Sequence, residues 1–350
     1  MSTAPSPATS AAYPPESGGA SESVAESWRQ SLRNAFRNPR ELLSAVGLED
    51  HVDELICDQA TDAFRFLVPR EYAARMRFGD RCDPLLRQVL PVSEETHETP
   101  GFVSDPLRES EYTLTPGLLQ KYAGRALMVT TGSCAIHCRY CFRRHFPYEQ
   151  SPPSRSAWRA SIDAIAADSS IHEVLLSGGD PLTLVDESLQ WLIEQIDQVP
   201  HVRRLRIHSR LPVVIPSRVN SAFIEMLRQF SGAAYVVLHI NHPAEIDASL
   251  TDAIAHLVDA GAVVLNQSVL MRSINDDAET LITLCEMLAD RKVRPYYLHR
   301  MDAVAGAAHF VVDDKSALEI VSGLRDRLPG YAVPSYVAEI PGRGSKTPLA

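Results

Sequence analysis

Residues 126–141 read ALMVTTGSCAIHCRYC, an apolar run (Ala126-Leu127-Met128-Val129) that turns at Gly132 into a loop holding Cys134, Cys138 and Cys141. A strand-length apolar run followed at once by a reactive loop is the pattern of a strand whose carboxyl end carries function. Such runs recur. Val174-Leu175-Leu176, Leu205-Arg206-Ile207, Tyr235-Val236-Val237-Leu238, Val263-Val264-Leu265 and Tyr296-Tyr297-Leu298 follow it. Amphipathic stretches lie between them at 156–167, 186–198, 217–230, 246–259 and 277–290, and a further one at 315–327 follows the last run. Alternating strands and helices imply parallel strands joined by crossovers. The expected class is α/β with six strand-helix units, forming an open doubly wound sheet or a barrel that fails to close. Spacing alone does not choose between them.

The flanks read differently. Residues 1–23 are dominated by Ser, Ala, Pro and Gly and hold too little apolar surface to offset the entropy of ordering, which predicts a disordered tail. From about Val24 to residue 120 the pattern is mainly helical: Trp28, Leu32, Ala35 and Phe36 repeat at helical spacing, Glu41-Leu42-Leu43 suggests a second helix, and Pro69 opens another at Arg70. The strand-helix body is expected over 121–330, and 331–350 forms a closing Gly-rich segment.

Composition narrows the function. The 350 residues are 45% hydrophobic and carry 34 Lys and Arg against 44 Asp and Glu, a formal charge of -10 that argues against nucleic acid held through its phosphates. No apolar run reaches the roughly 18 residues of a membrane span, and residues 1–19 lack the basic start and apolar stretch of a secretory signal, so the expected compartment is the cytoplasm. Six cysteines are too few for a disulfide scaffold. Cys57, Cys82 and Cys285 stand alone and are expected to be small buried hydrophobes.

The other three sit at C-x3-C-x2-C spacing in a strand-end loop. Three thiolates can hold three irons of a [4Fe-4S] cube and leave the fourth open to a small molecule that chelates through an amine and a carboxylate, as S-adenosylmethionine does. A zinc site is the alternative, but structural zinc takes four ligands and no second cysteine pair exists, leaving His137 or His145 to complete it. This spacing, with Tyr140 before the last cysteine, resembles the radical S-adenosylmethionine superfamily. Directly after the second run, Leu176-Ser177-Gly178-Gly179-Asp180-Pro181-Leu182 has adjacent glycines that let backbone approach a ligand closely. It resembles the superfamily's glycine-glycine-acid element, which holds the methionyl amine of S-adenosylmethionine, with Asp180 as its acid.

Near the end, Glu339-Ile340-Pro341-Gly342-Arg343-Gly344-Ser345-Lys346-Thr347-Pro348-Leu349 places a lysine in a Gly-rich stretch. Together with Cys141-Phe142-Arg143-Arg144-His145-Phe146, Ser209-Arg210-Leu211-Pro212, His239-Ile240-Asn241-His242-Pro243, Asn266-Gln267-Ser268 and Arg294-Pro295-Tyr296-Tyr297-Leu298, it resembles the lysine 2,3-aminomutase family from about residue 100 onward. The similarity is to the short bacterial form tied to β-lysylation of elongation factor P. The acid seven residues before the lysine, an Asp in the longer clostridial enzymes, is Glu339, and their C-terminal zinc-binding extension has no counterpart. Lys121 stands where they carry an Arg, keeping charge but losing the bidentate fork.

The resemblance implies an incomplete (β/α)6 radical SAM barrel and an isomerase that moves the α-amino group of lysine to the neighbouring carbon. It implies a cluster on Cys134, Cys138 and Cys141, S-adenosylmethionine, pyridoxal phosphate bound as an imine to Lys346, and a reducing electron donor. Tyr122, Arg125 and Arg210 match cofactor contacts, the arginines toward phosphate; Ser177, Gly178, Gly179, Asp180, His239 and Gln267 match S-adenosylmethionine contacts. His239 and Gln267 fit equally well as buried hydrogen-bonded groups. Arg143 matches the partner of the substrate carboxylate, and Asp302 with Glu339 the partners of its distal ammonium. His172, His201 and His208 carry no assigned chemistry and read as surface or structural. An arginine or glutamate aminomutase and a non-catalytic iron-sulfur or zinc protein are the competing readings; two carboxylates would repel a glutamate side chain. A homo-oligomer is compatible with the sequence.

Overall fold

The computed structural model describes residues 28–148 and 154–350, so the expected tail over 1–23 lies outside the described residues. The leading region is helical in short pieces: 28–33, Pro39–Ala45, Asp58–Ala63, Arg70–Ala73 and Pro84–Arg87. Pro39 and Pro84 each open a helix at a position whose N–H would be unpaired anyway, and Asn38 and Asp83 cap them from just outside.

One ten-stranded sheet organises the rest, with neighbours in chain order. Its strands are β1 (Thr113–Thr115), β2 (Leu118–Leu119), β3 (Arg125–Thr131), β4 (Glu173–Gly178), β5 (Arg204–Ser209), β6 (Ala233–His239), β7 (Val263–Val269), β8 (Arg294–His299), β9 (Ser335–Ala338) and β10 (Thr347–Pro348). From β3 to β9 every neighbouring pair is parallel. The two strands before β3 and the one after β9 pair antiparallel. All six expected runs fall inside β3 to β8. The seventh parallel strand, β9, escaped sequence reading because four residues bounded by Pro334 and Glu339 make too short a signal.

The crossovers are helices α1 (Arg155–Ala167), α2 (Asp186–Asp197), α3 (Ser221–Gln229), α4 (Ala248–Asp259), α5 (Ala278–Asp290) and α6 (Asp314–Arg327). Five have a side-chain cap: Ser154, Asn220, Asp247, Asp277 and Asp313 each accept from a backbone N–H of the first turn. The helix expected from 217 starts instead at Ser221, because a 3-10 turn at Pro216–Arg218 precedes the Asn220 cap.

Alternation along the strands decides what faces what. On β5, Leu205 and Ile207 are fully buried in the apolar core, whereas Arg206 and His208 turn to the opposite face. Leu127, Ser177, His208, His239, Gln267 and His299, one from each of β3 to β8, line a single cavity of about 1130 Å³. Six successive strands share one cavity only if their sheet curls, yet β1 and β10 remain edges. The fold is a partial barrel, as the second of the two architectures anticipated. Residues expected to stand apart at 331–350 supply its last two strands. One apolar cluster runs from Trp28 and Tyr72 through Ile207 to Tyr336, so the leading helices and the barrel share a core. Ile207→Ala would cost about 2–5 kcal/mol there. Among the described residues no helix is long and apolar enough to cross a membrane.

Candidate active site

The cysteine loop leaves β3 at Gly132, where a Cβ would stand 2.6 Å from Cβ of Tyr148, so glycine is required for the chain to pass. Two buried arginines pin the loop to the leading region. Arg139 donates to Glu95 (Nε–Oε1 2.8 Å) and to the Phe64 and Ala60 carbonyls, and Arg144 donates to Glu95 Oε2 (2.8 Å) and the Gly306 carbonyl. Cys134, Cys138 and Cys141 all line the cavity. Burial, then the neighbouring Cys141, pushes the Cys134 thiol well up, and burial with Cys138 pushes Cys141 up to about 11. Crowded, desolvated thiols ionise only when cations join them, which is what iron supplies. No three His, Cys, Asp or Glu side chains among the described residues converge on one point, as a single ion requires. Three thiols from one loop, opening on one cavity, are the donor set a [4Fe-4S] cube would take, one thiolate on each of three irons.

The glycine pair ties β4 to that loop. Gly178 has φ +118°, which side-chain-bearing residues rarely adopt, and a Cβ on Gly179 would lie 2.4 Å from the Ser133 carbonyl oxygen. Gly179 N donates to Thr131 O and Asp180 N to Ser133 O, both at 2.7 Å. The Asp180 carboxylate is engaged within this element and the turn after β5. Its Oδ1 accepts from Leu182 N (3.0 Å) and Ser209 Oγ (2.7 Å), and its Oδ2 from Arg210 N (2.8 Å) and Leu211 N (2.9 Å). Four donors fill its capacity, so Asp180 shapes the turns after β4 and β5. Ser177, Gly178, Gly179 and Asp180 all line the cavity.

Arg210 departs from expectation. Instead of turning to a phosphate, it is buried against Cys138 Sγ (2.6 Å), Tyr140 Oη (2.6 Å), Gln88 Oε1 (2.7 Å) and Glu245 Oε2 (2.9 Å). Its own Nε is buried without a partner among the described residues, and a second cavity arginine, Arg206, is one that sequence reading passed over. Arg206 faces the cavity from β5, pairs with Glu173 at 2.5 Å, and keeps a buried Nε without a partner among the described residues. The available signal was a charge in the middle of an apolar parallel strand, where charge needs a reason. Arg125 stands 4.7 Å above the Tyr122 ring, Tyr122 Oη is buried and unpaired, and both arginines act on Tyr297. Unspent donors of this kind suit a doubly charged phosphate. His208, expected to be surface or structural, lines this same wall with its Nε2 buried and unpaired; burial, then Arg206, holds it neutral.

Lys346 arrives on the β9–β10 hairpin, whose register pairs Thr347 with Ala338 and folds Lys346 back onto Glu339, seven residues earlier. The ammonium of Lys346 holds one carboxylate oxygen of Glu339, and Lys121 holds the other at 2.9 Å. Burial alone would raise the Glu339 carboxyl, but the two lysines outweigh it and hold it down to about 2. Glu339 is therefore occupied by cations of its own chain, contrary to its expected role toward a substrate ammonium. Asp302 faces the cavity with its carboxyl pushed up to about 7 by burial and by Glu339. Arg143 is likewise occupied: Glu109 grips it at Nε (2.7 Å) and Nη2 (2.6 Å). His239, held down to about 3 by burial and Arg210, lies 3.5 Å from Tyr140 Oη, and both it and Gln267 face the cavity as expected. Among the lone cysteines, Cys285 is buried, whereas Cys82 is exposed and accepts from Arg87 at 3.3 Å.

Comparison with known proteins agrees with this geometry. Residues 128–285 match the Radical SAM superfamily. The L-lysine 2,3-aminomutase of Escherichia coli (strain K12) is 44% identical over 93% of this chain and 94% of its own length. That of Haemophilus influenzae is 42% identical, over 92% and 95%. The L-lysine 2,3-aminomutase of Clostridium subterminale is 35% identical over 92% of this chain and 77% of its own.

Proposed function

The chain belongs to the L-lysine 2,3-aminomutase family within the radical SAM superfamily, and from that premise we propose that it converts L-α-lysine to β-lysine. The carrying observation is convergence: the three thiols after β3, the glycine pair after β4 and Lys346 before β10 all open on one cavity. When bound, the cluster with S-adenosylmethionine supplies a carbon-centred radical from one donated electron, and pyridoxal phosphate supplies the unsaturated nitrogen on which an amine can migrate.

The chain's own groups do the rest. Cys134, Cys138 and Cys141 hold the iron, and the backbone of Ser177 to Gly179 borders S-adenosylmethionine with His239 and Gln267. Arg125, Arg206 and Tyr122 meet the phosphate. Lys346 would hold pyridoxal phosphate, for which its ammonium must first give up a proton, and the Glu339 carboxylate is the group paired with that ammonium. Arg143 takes the substrate carboxylate and Asp302 its distal ammonium.

We assign the product to modification of elongation factor P. The match over nearly the full length of the Escherichia coli relative, against 77% of the clostridial one, supports the short form. Anaerobically reconstituted protein, given isotope-labelled lysine, S-adenosylmethionine, pyridoxal phosphate and a strong reductant, should yield β-lysine by NMR, and Lys346→Ala should not. Rearrangement of arginine or glutamate with lysine untouched would remove the substrate assignment.

A further inference from the structure

Arg143 is nearly enclosed, with 6% side-chain exposure, and its guanidinium is already engaged on both edges. Glu109 holds the Nε–Nη2 edge with both carboxylate oxygens, at 2.7 and 2.6 Å. Nη1 is taken by Ser177 Oγ (3.0 Å) and the Gly178 carbonyl (3.3 Å). The Nε–Nη2 edge is the one a carboxylate grips with two parallel bonds, and the contacts at Nη1 break up the other edge. An amino-acid carboxylate therefore has no fork left on Arg143 while Glu109 stays. Adding it alongside would bring a further anion into a cavity that Glu109, Asp302 and Glu339 already line.

The segment that carries Glu109 is suited to yielding. It is a 3-10 turn, Glu109–Tyr112, entered through Arg108 at φ +51°, a left-handed value costly for a residue with a Cβ. Apart from the Arg143 pair, Glu109 itself is tied among the described residues only through its backbone, Asp105 accepting from Glu109 N at 3.0 Å. The firmer attachments sit at the far end of the turn, where Tyr112 O accepts from Gln120 N and Tyr112 Oη from Gly342 N, both at 2.9 Å.

We propose that Glu109 is a built-in competitor for the substrate carboxylate, so that an amino acid enters by replacing Glu109 on Arg143 and only a ligand bearing a carboxylate does so effectively. The inference rests on Arg143 being the carboxylate site. Glu109 thereby sets specificity: a diamine without a carboxylate leaves the fork closed. If the fork is open for only about a tenth of the time, lysine binds about tenfold more weakly than its contacts allow.

The test uses the reconstituted holoenzyme. Glu109→Gln keeps the shape and removes the charge, and should lower the KM for lysine about tenfold, with lysinamide, which lacks the anion, gaining nothing as a competitive inhibitor. Glu109→Asp, shorter by one bond and still charged, should fall between, and serves should the Gln variant fold poorly. A KM for lysine that stays level or rises in both variants overturns the inference, since a fixed supporting partner would behave that way. Equal gains for lysine and lysinamide overturn it as well. Arg143→Lys should raise the KM for lysine; if it does not, the carboxylate lies elsewhere, and that reading falls first and takes the competitor with it.

Discussion

Raising the pH from about 6 to about 8 should increase kcat/KM for lysine about tenfold, and Asp302→Asn should abolish the rise. Burial, then Glu339, holds the Asp302 carboxyl up to about 7 from the ordinary 3.8. That displacement corresponds to roughly 4 kcal/mol against ionisation in this cavity. A carboxyl with a raised value is neutral below it and anionic above it, so below about 7 it offers the lysine ammonium a dipole and above about 7 a full charge. Its ionised share grows about tenfold across the interval, while the substrate's own ammonium, near 10.4, does not titrate. The assay is kcat/KM for β-lysine formation at saturating cofactor across that range, in wild type and Asp302→Asn. An unchanged slope in the variant would show that another group titrates, and a flat wild-type profile would show that Asp302 does not face the ammonium.

Other substitutions separate the roles of groups that share the cavity. Lys346→Ala should lose the absorbance of retained pyridoxal phosphate, while Cys138→Ala should lose iron and sulfide and keep that absorbance. Arg206→Met should weaken pyridoxal phosphate retention by about tenfold or more, through loss of a charge-assisted contact. Arg210→Met should instead destabilise the fold by about 3–5 kcal/mol in urea unfolding, because it strands the buried Glu245 carboxylate. If Arg210→Met releases the phosphate at unchanged stability, the two arginines have been exchanged. Gly179→Ala should cost about 1–3 kcal/mol and reduce iron retention, since its Cβ would press on the Ser133 carbonyl at the start of the cysteine loop.

The chain's local patterns carried most of the fold. Six apolar runs and six amphipathic stretches became β3 to β8 and α1 to α6, with caps such as Asn220 and Asp277 at the helix starts. Errors fell where local pattern is thin: β9 is four residues long, and α3 starts late because Pro216 holds the chain in a tighter turn. Within the site, only the three thiols were readable from residue type and spacing; the glycine pair and Lys346 took their expected roles from the family resemblance. Roles that came through family position alone were less secure. Asp180 and Arg210 sit at the expected places, yet the Asp180 oxygens and both Arg210 Nη groups are engaged by the protein, leaving only Arg210 Nε unpaired among the described residues. Arg206, flanked by Leu205 and Ile207 in what reads as an apolar run, is the group that faces the cavity from mid-strand.

Spacing and periodicity determined by themselves that this chain forms parallel strands with crossovers and puts three thiols in a strand-end loop. Those features depend on neighbours a few positions apart. Tertiary structure alone decided which charges meet: Glu109 with Arg143 across 34 positions, Lys121 with Glu339 across 218, and Arg210 with Glu245 across 35. Such pairs form between long side chains on different loops, and they come within about 3 Å only because the sheet curls and aims those loops at one cavity. Curl and register are properties of the whole sheet, and no window of sequence contains them.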